Sequence, residues 1–232
     1  MLILVTGTRT GLGRMLVKHL IGEGHTVIGC SRREGARMPP GYIHFNLDLT
    51  DPKSVTAMFH EIRKRYGFID ALVNNAGTSI MEPFLLSDME HTKKLYDLNV
   101  FSVMQCCREA VKLLKNSSSG SASILNISSV ATLFSLEGQL AYATSKAAIE
   151  QFTRSLSREI APLNIRVNTL GLPPLRTALT RTLGKDKVEA LIARQAIKRP
   201  CEFPDVVGPV EFFLSGASSF VSGETLYLGG VR

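Results

Sequence analysis

An uninterrupted apolar run, LILV at residues 2–5, passes directly into the glycine-rich segment TGTRTGLG at residues 6–13. A strand that is apolar at every position, rather than at alternate ones, is buried on both faces, as in a parallel sheet covered by helices. Helical periodicity begins inside the glycine-rich segment, at Leu12. The start of the chain therefore predicts a buried strand, a tight turn and a helix that packs back onto the strand.

Apolar, β-branched segments alternate with longer helical segments along the rest of the chain. We predict strands at residues 2–5, 26–30, 42–46, 71–74, 123–127, 166–170 and 225–228, and helices at 12–21, 52–66, 89–115, 139–160 and 204–214. This alternation predicts an α/β fold, a doubly wound Rossmann domain with a seven-stranded, mainly parallel sheet and helices on both faces. A length of 232 residues with 44% hydrophobic content fits a single domain over residues 1–232, with an integral substrate loop at about 172–200.

The glycine-rich turn has the context that a dinucleotide-binding fingerprint requires, because it follows a strand and opens a helix. Gly7 can adopt backbone conformations barred to other residues, Gly11 lets a pyrophosphate approach the backbone, and Gly13 permits close helix packing. Free amides at the helix start, around Thr10 and Leu12, would face the anion. The alternative interpretation is a strand-to-helix turn with only a structural role.

The end of the second predicted strand indicates which dinucleotide binds. Enzymes that use NAD often carry an acidic residue about 20 positions beyond the glycines, but this chain has CSRR at residues 30–33. Arg32, together with Arg9 from the turn and with Arg33 as a further candidate, would instead hold a 2′-phosphate through charge-assisted hydrogen bonds. We therefore expect NADP(H) to be preferred over NAD(H), with Ser31 and Arg32 in the cofactor site. Loop arginines that are simply solvated are the other interpretation.

Tyr142 and Lys146 lie four residues apart in the segment YATSKAAIE, and Ser129 lies thirteen residues upstream of the tyrosine. Residues at i and i+4 share a helix face, so the lysine ammonium can approach the phenol. A neighbouring cation favours the phenolate, which moves a pKa of ~10 towards neutrality and makes the phenol a proton donor or acceptor. The less specific interpretation is a solvated helix face.

Ordered motifs along nearly the whole chain resemble those of the short-chain dehydrogenase/reductase family. They are TGTRTGLG, LDLTD around Asp48, NNAG at residues 74–77, LNV around Asn99, NISS ending at Ser129, YATSK, and IRVN ending at Asn168. The resemblance implies a catalytic tetrad of Asn99, Ser129, Tyr142 and Lys146. It also implies that Asp48 meets the adenine amino group. The remaining cofactor contacts that it implies are Leu49, Asn75, Ala76, Gly77, Tyr142, Lys146 and Thr177.

By the same resemblance, Tyr142 gives its proton to a substrate carbonyl as the nicotinamide delivers hydride, while Ser129 bonds the developing oxyanion. Lys146 would lower the pKa of Tyr142 and bind the nicotinamide ribose, and Asn99 would hold a water that passes protons to Lys146. Two alternatives remain open. Ser128 could be the catalytic hydroxyl, although the thirteen-residue interval favours Ser129, and Asn99 could simply bond to backbone.

Two segments depart from the family pattern. After IRVN the family usually has a Pro-Gly pair beside the nicotinamide, where this chain has Leu172 and Pro173. Because proline fixes φ and removes an amide donor, we expect a different wall of the nicotinamide pocket. At the other departure, GETLYLGG lacks the aspartate that usually precedes the paired glycines. That change bears on the subunit contact more than on catalysis.

Charge and cysteine usage exclude other classes of protein. The net charge of +7 is scattered rather than concentrated in one basic run, which favours an anionic cofactor or substrate over nucleic acid. Met1 leads directly into the first strand and the apolar runs are short, so we expect neither a signal peptide nor a membrane span. The four cysteines lack metal-ligand spacing, so we expect no metal, reduced thiols and a cytoplasmic protein.

These observations favour an NADP-dependent carbonyl reductase that resembles reductases of 3-oxoacyl carrier proteins, with a small-molecule or acyl-carrier-linked ketone as substrate. An NAD-dependent alcohol dehydrogenase is the near alternative. A sugar epimerase would need a larger C-terminal domain, and a nonenzymatic cofactor-sensing regulator typically lacks the proton-transfer residues. Apolar residues on more than one face of the helices at 89–115 and 139–160 predict a homotetramer or homodimer.

Overall fold

A computed structural model describes residues 1–33, 38–117, 119–175 and 184–231. Within these ranges the strands form a seven-stranded sheet in the order β3-β2-β1-β4-β5-β6-β7, and every neighbouring pair is parallel. The strands are β1 (Leu2–Thr6), β2 (Thr26–Ser31), β3 (Tyr42–Asn46), β4 (Ala71–Asn74), β5 (Ser123–Ser129), β6 (Arg166–Leu172) and β7 (Thr225–Tyr227). The predicted seven-stranded α/β fold is confirmed, with a sheet that is parallel throughout.

The helices follow the predicted positions with two additions. Those described are α1 (Gly11–Gly22), α2 (Pro52–Tyr66), α3 (Met89–Tyr96), α4 (Ser102–Leu114), α5 (Ala131–Phe134), α6 (Leu140–Glu159), α7 (Lys185–Arg194) and α8 (Phe203–Leu214). A π-helical segment, Asp97–Phe101, divides the single helix expected at residues 89–115. Helix α7 occupies part of the stretch expected to be the substrate loop.

The sheet separates two apolar clusters, which explains the unbroken apolar run of β1. Leu4 contributes to the cluster that includes α2 and α4, whereas Ile3 and Val5 contribute to the cluster that includes α1 and α8. All three side chains are fully buried. Burying an aliphatic side chain of this size contributes about 1.5–3 kcal/mol relative to exposure, so both faces of the strand stabilise the fold.

Local signals fix the ends of α2. The Asp51 carboxylate caps the helix by accepting from the backbone N–H of Lys53 at 3.1 Å and of Ser54 at 3.3 Å. Pro52 follows at the first helical position, where its missing N–H costs nothing. Gly67, with φ of 80°, ends the helix in the left-handed conformation that glycine adopts readily.

The close packing of the glycine-rich turn predicts different outcomes for two glycines of the same helix. A Cβ on Gly13 would collide with the Gly7 carbonyl oxygen and lie 2.5 Å from Asn75 Nδ2, whereas a Cβ on Gly22 meets no described atom within 4 Å. Gly13→Ala should therefore lower the free energy of unfolding by about 1–3 kcal/mol. Gly22→Ala should leave it unchanged or raise it by up to about 1 kcal/mol. Urea unfolding followed by circular dichroism measures both, and equal stability of the two variants would contradict this packing.

Candidate active site

A cleft of about 1140 Å³ runs along the carboxyl ends of the central strands. Ligands of open α/β sheets bind where the strand order reverses, which here is between β1 and β4. The cleft is lined by the turn after β1, the loop after β4, the end of β5, the start of α6 and the segment after β6. Because pockets for one small ligand usually measure about 300–1,000 Å³, this cleft has room for a dinucleotide and a second molecule.

The turn after β1 is shaped to receive a phosphate. Gly7 and Gly11 have φ values of 72° and 58°, in the left-handed region that favours glycine. A Cβ on Gly7 would lie only 2.9 Å from the Ala76 Cα. Thr10 begins α1 without a side-chain cap, and the first turn of α1 contains no acidic residue. The helix therefore presents free amides to the cleft, which fits the pyrophosphate of a dinucleotide.

Hydrogen bonds join this turn to the NNAG segment after β4. Asn75 Nδ2 donates to the Thr6 carbonyl oxygen at 2.9 Å and to the Gly7 carbonyl oxygen at 3.2 Å. In return, Thr6 Oγ1 accepts from the backbone N–H groups of Asn75 and Ala76, both at 3.0 Å. The two loops that flank the crevice are thus held as one unit, and Asn75, Ala76 and Gly77 all line the cleft.

The far end of the cleft carries the residues predicted to choose between the two dinucleotides. Arg9, Ser31 and Arg32 line it, and both arginines are exposed. Asp48 and Leu49 also line this end. The Asp48 Oδ1 atom accepts from the backbone and hydroxyl of the residue two positions on, at 2.9 and 2.8 Å.

Asn99 lies in the π-helical segment and is fully buried. Its Oδ1 accepts from the Thr78 N–H at 2.9 Å, and its Nδ2 donates to the Thr78 carbonyl at 2.9 Å and to Ser145 Oγ at 3.2 Å. Both sides of the amide are therefore used to fix the loop after β4. A Cβ on Gly77 would lie 3.2 Å from Asn99 Oδ1 and 3.4 Å from Lys146 Nζ. Gly77 thus lets the side chains of Asn99 and Lys146 approach the same point. Asn99 reaches it from a π-helical turn, a feature that often lies at functional sites.

Lys146 projects from α6 towards the end of β5. Its Nζ donates to the Ile127 carbonyl at 2.9 Å and lies 6.0 Å from the centre of the Tyr142 ring. Burial lowers the pKa of Lys146 from 10.5 to about 8, and the charge of Glu150 opposes that decrease. The ammonium is therefore anchored by backbone while remaining beside the phenol.

The Tyr142 phenol is buried, and burial raises its pKa, with a hydrogen bond from Ser129 acting in the opposite direction. We expected Lys146 to lower this pKa. Desolvation instead sets the direction of the pKa shift, because the phenol is removed from water. The Lys146 ammonium is directed at the Ile127 carbonyl. Tyr142 is therefore a protonated phenol at neutral pH in this geometry.

The two serines at the end of β5 have different partners. Ser128 Oγ donates to Glu150 Oε1 at 2.6 Å, inside the protein. The Ser129 side chain lowers the pKa of Tyr142, and its Oγ accepts from the Ala131 N–H at 3.1 Å. It is therefore Ser129, rather than Ser128, that acts on the tyrosine.

Two further features of the cleft bear on the sequence predictions. Leu172 and Pro173, the residues in place of the usual Pro-Gly pair, do line the cleft, and the Leu172 carbonyl accepts from the Val130 N–H at 3.0 Å. Thr177, predicted to contact the nicotinamide, lies outside the described residues.

Gln139 was missed by sequence reasoning. It lines the cleft three residues before Tyr142 and is only 3% exposed. Among the hydrogen bonds of the described residues none involves its side-chain amide. The one available signal was its position one turn before the tyrosine, on the same helix face.

Neither a membrane-spanning helix nor a metal site is found in the described parts of the chain. No helix there is long and apolar enough to cross a bilayer, and no three His, Cys, Asp or Glu residues cluster as ligands. The four cysteines are free and buried. Burial raises the pKa of both Cys30 and Cys107 to about 12, which makes these thiols unreactive.

The fold and the cleft define a nucleotide-binding α/β protein in which a tyrosine, a lysine and a serine meet beside the nucleotide crevice. Residues 1–188 match the short chain dehydrogenase family, and the chain belongs to that family. It is therefore an oxidoreductase of carbonyl or alcohol substrates, a class that typically uses a nicotinamide cofactor.

Relatives with different substrates are similar over nearly the whole chain. The 3-oxoacyl-acyl-carrier-protein reductase FabG of Salmonella typhimurium is 30% identical, covering 98% of this chain and 95% of the relative. The 3alpha-hydroxysteroid dehydrogenase of Mediterraneibacter gnavus is 33% identical, covering 98% and 94%. Among solved structures, the ligand-free aldohexose dehydrogenase of Thermoplasma acidophilum has a TM-score of 0.90 at 30% identity, covering 99% of this chain and 93% of its own.

The decreased pKa of Lys146 predicts how stability varies with pH. Between about 8 and 10.5 the unfolded chain still holds a proton that folded Lys146 has released. The unfolded state then binds more protons, so this group makes stability rise with pH across that window. Lys146→Met should lose the rise, which is on the order of 3 kcal/mol. Chemical unfolding at pH 7 to 10 of the native chain, Lys146→Met and the exposed control Lys53→Met measures it. Parallel curves for all three would contradict the prediction.

Proposed function

We propose that the chain is an NADP-dependent reductase of ketones, working by proton donation from Tyr142. The observation that carries this proposal is the convergence of Tyr142, Ser129 and Lys146 in one cleft with the phosphate-binding turn. Bound nicotinamide would supply the hydride. The chain itself would supply the proton, the orientation of the carbonyl and the exclusion of water.

Tyr142 is suited to the role of proton donor. Because burial raises its pKa, the phenol carries its proton at neutral pH, which is the protonation state that carbonyl reduction requires. The Ser129 hydroxyl, which lines the same cleft as Tyr142, would bond the developing oxyanion.

Lys146 would restore the proton of Tyr142 and hold the cofactor ribose. A pKa of about 8 is close enough to neutrality for the ammonium both to lose and to regain a proton during turnover. Asn99 would fix the floor of the site, since its amide is bound on both sides to Thr78. The water that Asn99 was expected to hold remains part of this proposal.

The preference for NADP rests on the charge at the adenosine end of the cleft. Arg9 and Arg32 line that end and are exposed, and the CSRR segment supplies no carboxylate to bind a ribose 2′-hydroxyl. Two guanidinium groups would pair with a 2′-phosphate, whereas NAD has a neutral hydroxyl at that position.

Apolar side chains line part of the cleft, which supports a ketone with a hydrophobic portion. Ile80, Leu136 and Leu191 line it together with Pro173. The net charge of +7 would suit an acyl chain delivered on an acidic carrier. We propose a small-molecule or acyl-carrier-linked ketone that binds within a single domain. Residues 176–183 of the expected substrate loop at 172–200 lie outside the described residues.

We also propose a homotetramer or homodimer in the cytoplasm. Phe101 and Leu140, beside α4 and α6, are more than half exposed, so these helices could pair across a two-fold axis. Light scattering that gave the mass of one chain at working concentration would refute this assembly.

The free buried cysteines are consistent with a reducing compartment.

Tyr142→Phe removes the proposed proton donor and keeps the ring. NADPH affinity and folding should be retained, whereas kcat for a ketone should fall by about 10²- to 10⁴-fold or more. The partly buried Tyr66 of α2 lies away from the cleft, so Tyr66→Phe is the matched control. Lys146→Ala should weaken NADPH binding as well as turnover. Near-normal ketone reduction by Tyr142→Phe in a steady-state assay would remove the tyrosine from the mechanism.

Arg32→Asp tests the cofactor preference. The new carboxylate should repel a 2′-phosphate and accept from ribose hydroxyls, so the Kd of NADPH should rise by about tenfold or more while that of NADH stays equal or falls. Arg63→Asp, on exposed α2 surface, controls for the change in net charge. Fluorescence titration with both cofactors gives the four constants. An unchanged NADPH-to-NADH ratio in Arg32→Asp would exclude Arg32 from the cofactor site.

A further inference from the structure

Glu150 is a buried carboxylate on the face of α6 that carries the active site. It lies one helical turn beyond Lys146 and two turns beyond Tyr142, and is 7% exposed. A buried charge is costly unless its oxygens are hydrogen-bonded, so its partners show what the protein uses it for.

Three hydroxyl groups from three other elements reach this carboxylate. Ser128 Oγ at the end of β5 donates to Oε1 at 2.6 Å, and Thr132 Oγ1 on α5 donates to the same oxygen at 3.1 Å. Tyr227 OH on β7 donates to Oε2 at 2.6 Å. Both oxygens are therefore occupied by donors, and the carboxylate is the acceptor that joins β5, α5 and β7 to α6.

Two of these donors lie on either side of Ser129. Ser128 precedes it directly, and the Thr132 hydroxyl lies 3.0 Å from both the Ser129 carbonyl oxygen and the Tyr227 hydroxyl as well as 3.1 Å from Glu150. Hydrogen bonds thus connect the residues before and after Ser129 to one carboxylate. Moving that carboxylate would move the hydroxyl that contacts Tyr142.

The third donor reaches Glu150 across β6. Tyr227 pairs with Gly171 in the sheet, and a Cβ on Gly171 would collide with the Tyr227 ring. Glycine at position 171 therefore leaves the space through which the phenol extends to the carboxylate. Tyr227 also packs against the apolar cluster that contains Leu191 of α7, and Leu191 itself lines the cleft.

The charge of Glu150 acts on Lys146. Burial decreases the pKa of Lys146, and the negative charge of Glu150 is what opposes that decrease. The titratable groups that face this pair are Tyr142 on α6 and Tyr227 on β7, whose hydroxyl is engaged by Glu150. Ser128 and Thr132 supply the remaining contacts and do not titrate near neutrality.

We propose that Glu150 is a positioning residue of the active site, which fixes both flanks of Ser129 and keeps the Lys146 ammonium charged. Glu150 touches neither substrate nor cofactor in this role and acts only through Ser129 and Lys146. The proposal rests on the proposed reductase function, because it is there that the protonated lysine is needed.

The test separates the charge of Glu150 from its hydrogen bonds. Glu150→Gln keeps the shape and the acceptor for Ser128 but removes the charge, whereas Tyr227→Phe removes the hydrogen bonds of the Tyr227 hydroxyl to Glu150 and Thr132 and keeps the charge. Lysine ¹³Cε resonances, with the Lys146 signal assigned through Lys146→Met, report the titration directly in each full-length chain. We expect the Lys146 pKa to fall by about one unit in Glu150→Gln and to stay at its native value in Tyr227→Phe.

The pH profile of ketone reduction gives the second measurement. Since reduction consumes a proton, activity falls as pH rises through the Lys146 titration, and this alkaline limb should move to lower pH in Glu150→Gln alone. An unshifted Lys146 signal in Glu150→Gln would overturn the inference while leaving the reductase proposal intact. If no ketone is reduced, the reductase proposal fails and the lysine titration still decides the role of Glu150.

A measurement on the native chain covers the case in which Glu150→Gln does not fold. The ¹³Cδ resonance of Glu150 should keep the chemical shift of a carboxylate from pH 6 to 9. A neutral carboxyl group in this range would supply no charge to Lys146 and would overturn the inference.

Discussion

The hydrogen bonds between Thr6 and Asn75 hold together the two loops at which the strand order of the sheet reverses. They tie the glycine-rich turn after β1 to the NNAG segment after β4 with distances of 2.9–3.0 Å. Gly7 and Gly13 permit this approach because a Cβ on either would meet the neighbouring backbone. The crevice beside the joined loops supplies the free amides of α1 at one end and Gly77, near Asn99 and Lys146, at the other.

Helix α6 then places the proton chemistry relative to that crevice. Tyr142, Lys146 and Glu150 recur at four-residue intervals, so they form a line on one face of the helix. Each contacts a different part of β5 or its continuation: Tyr142 contacts Ser129, Lys146 the Ile127 carbonyl and Glu150 the Ser128 hydroxyl. Pairing of α6 with the end of β5 thus determines the relative positions of the donor, the lysine and the serine.

Much of the fold follows from the sequence because its signals are local. The seven strands and the main helices are visible as apolar runs and helical periods, and the order of motifs identifies the family. The ends of β5 and β6 could not be predicted from local signals, and both strands extend two residues further than predicted. Ser129 pairs with Leu172 there, and such a pairing between distant segments overrides the weak strand propensity of serine.

The parts of the site that sequence did not predict depend on contacts between distant residues. In the sequence, Glu150 is one more polar residue of a long helix. Only the structure shows that Tyr227, 77 residues away, donates a hydrogen bond to it. The π-helical turn at Asn99 interrupts a segment whose composition is that of an ordinary helix. The pKa of Tyr142 was predicted in the wrong direction, because burial of the phenol is a property of the packed protein rather than of the i, i+4 pair.

Transfer of deuterium from labelled NADPH tests the central claim most directly. The native chain would be incubated with NADPH deuterated at C4, on one face and then on the other, together with a 3-oxoacyl thioester or a steroid ketone. Mass spectrometry would then locate the label. The account predicts that one of the two labelled cofactors places deuterium on the carbinol carbon of a reduced ketone, in proportion to the NADPH consumed. Bound NADPH with no label transferred to any carbonyl carbon would contradict it.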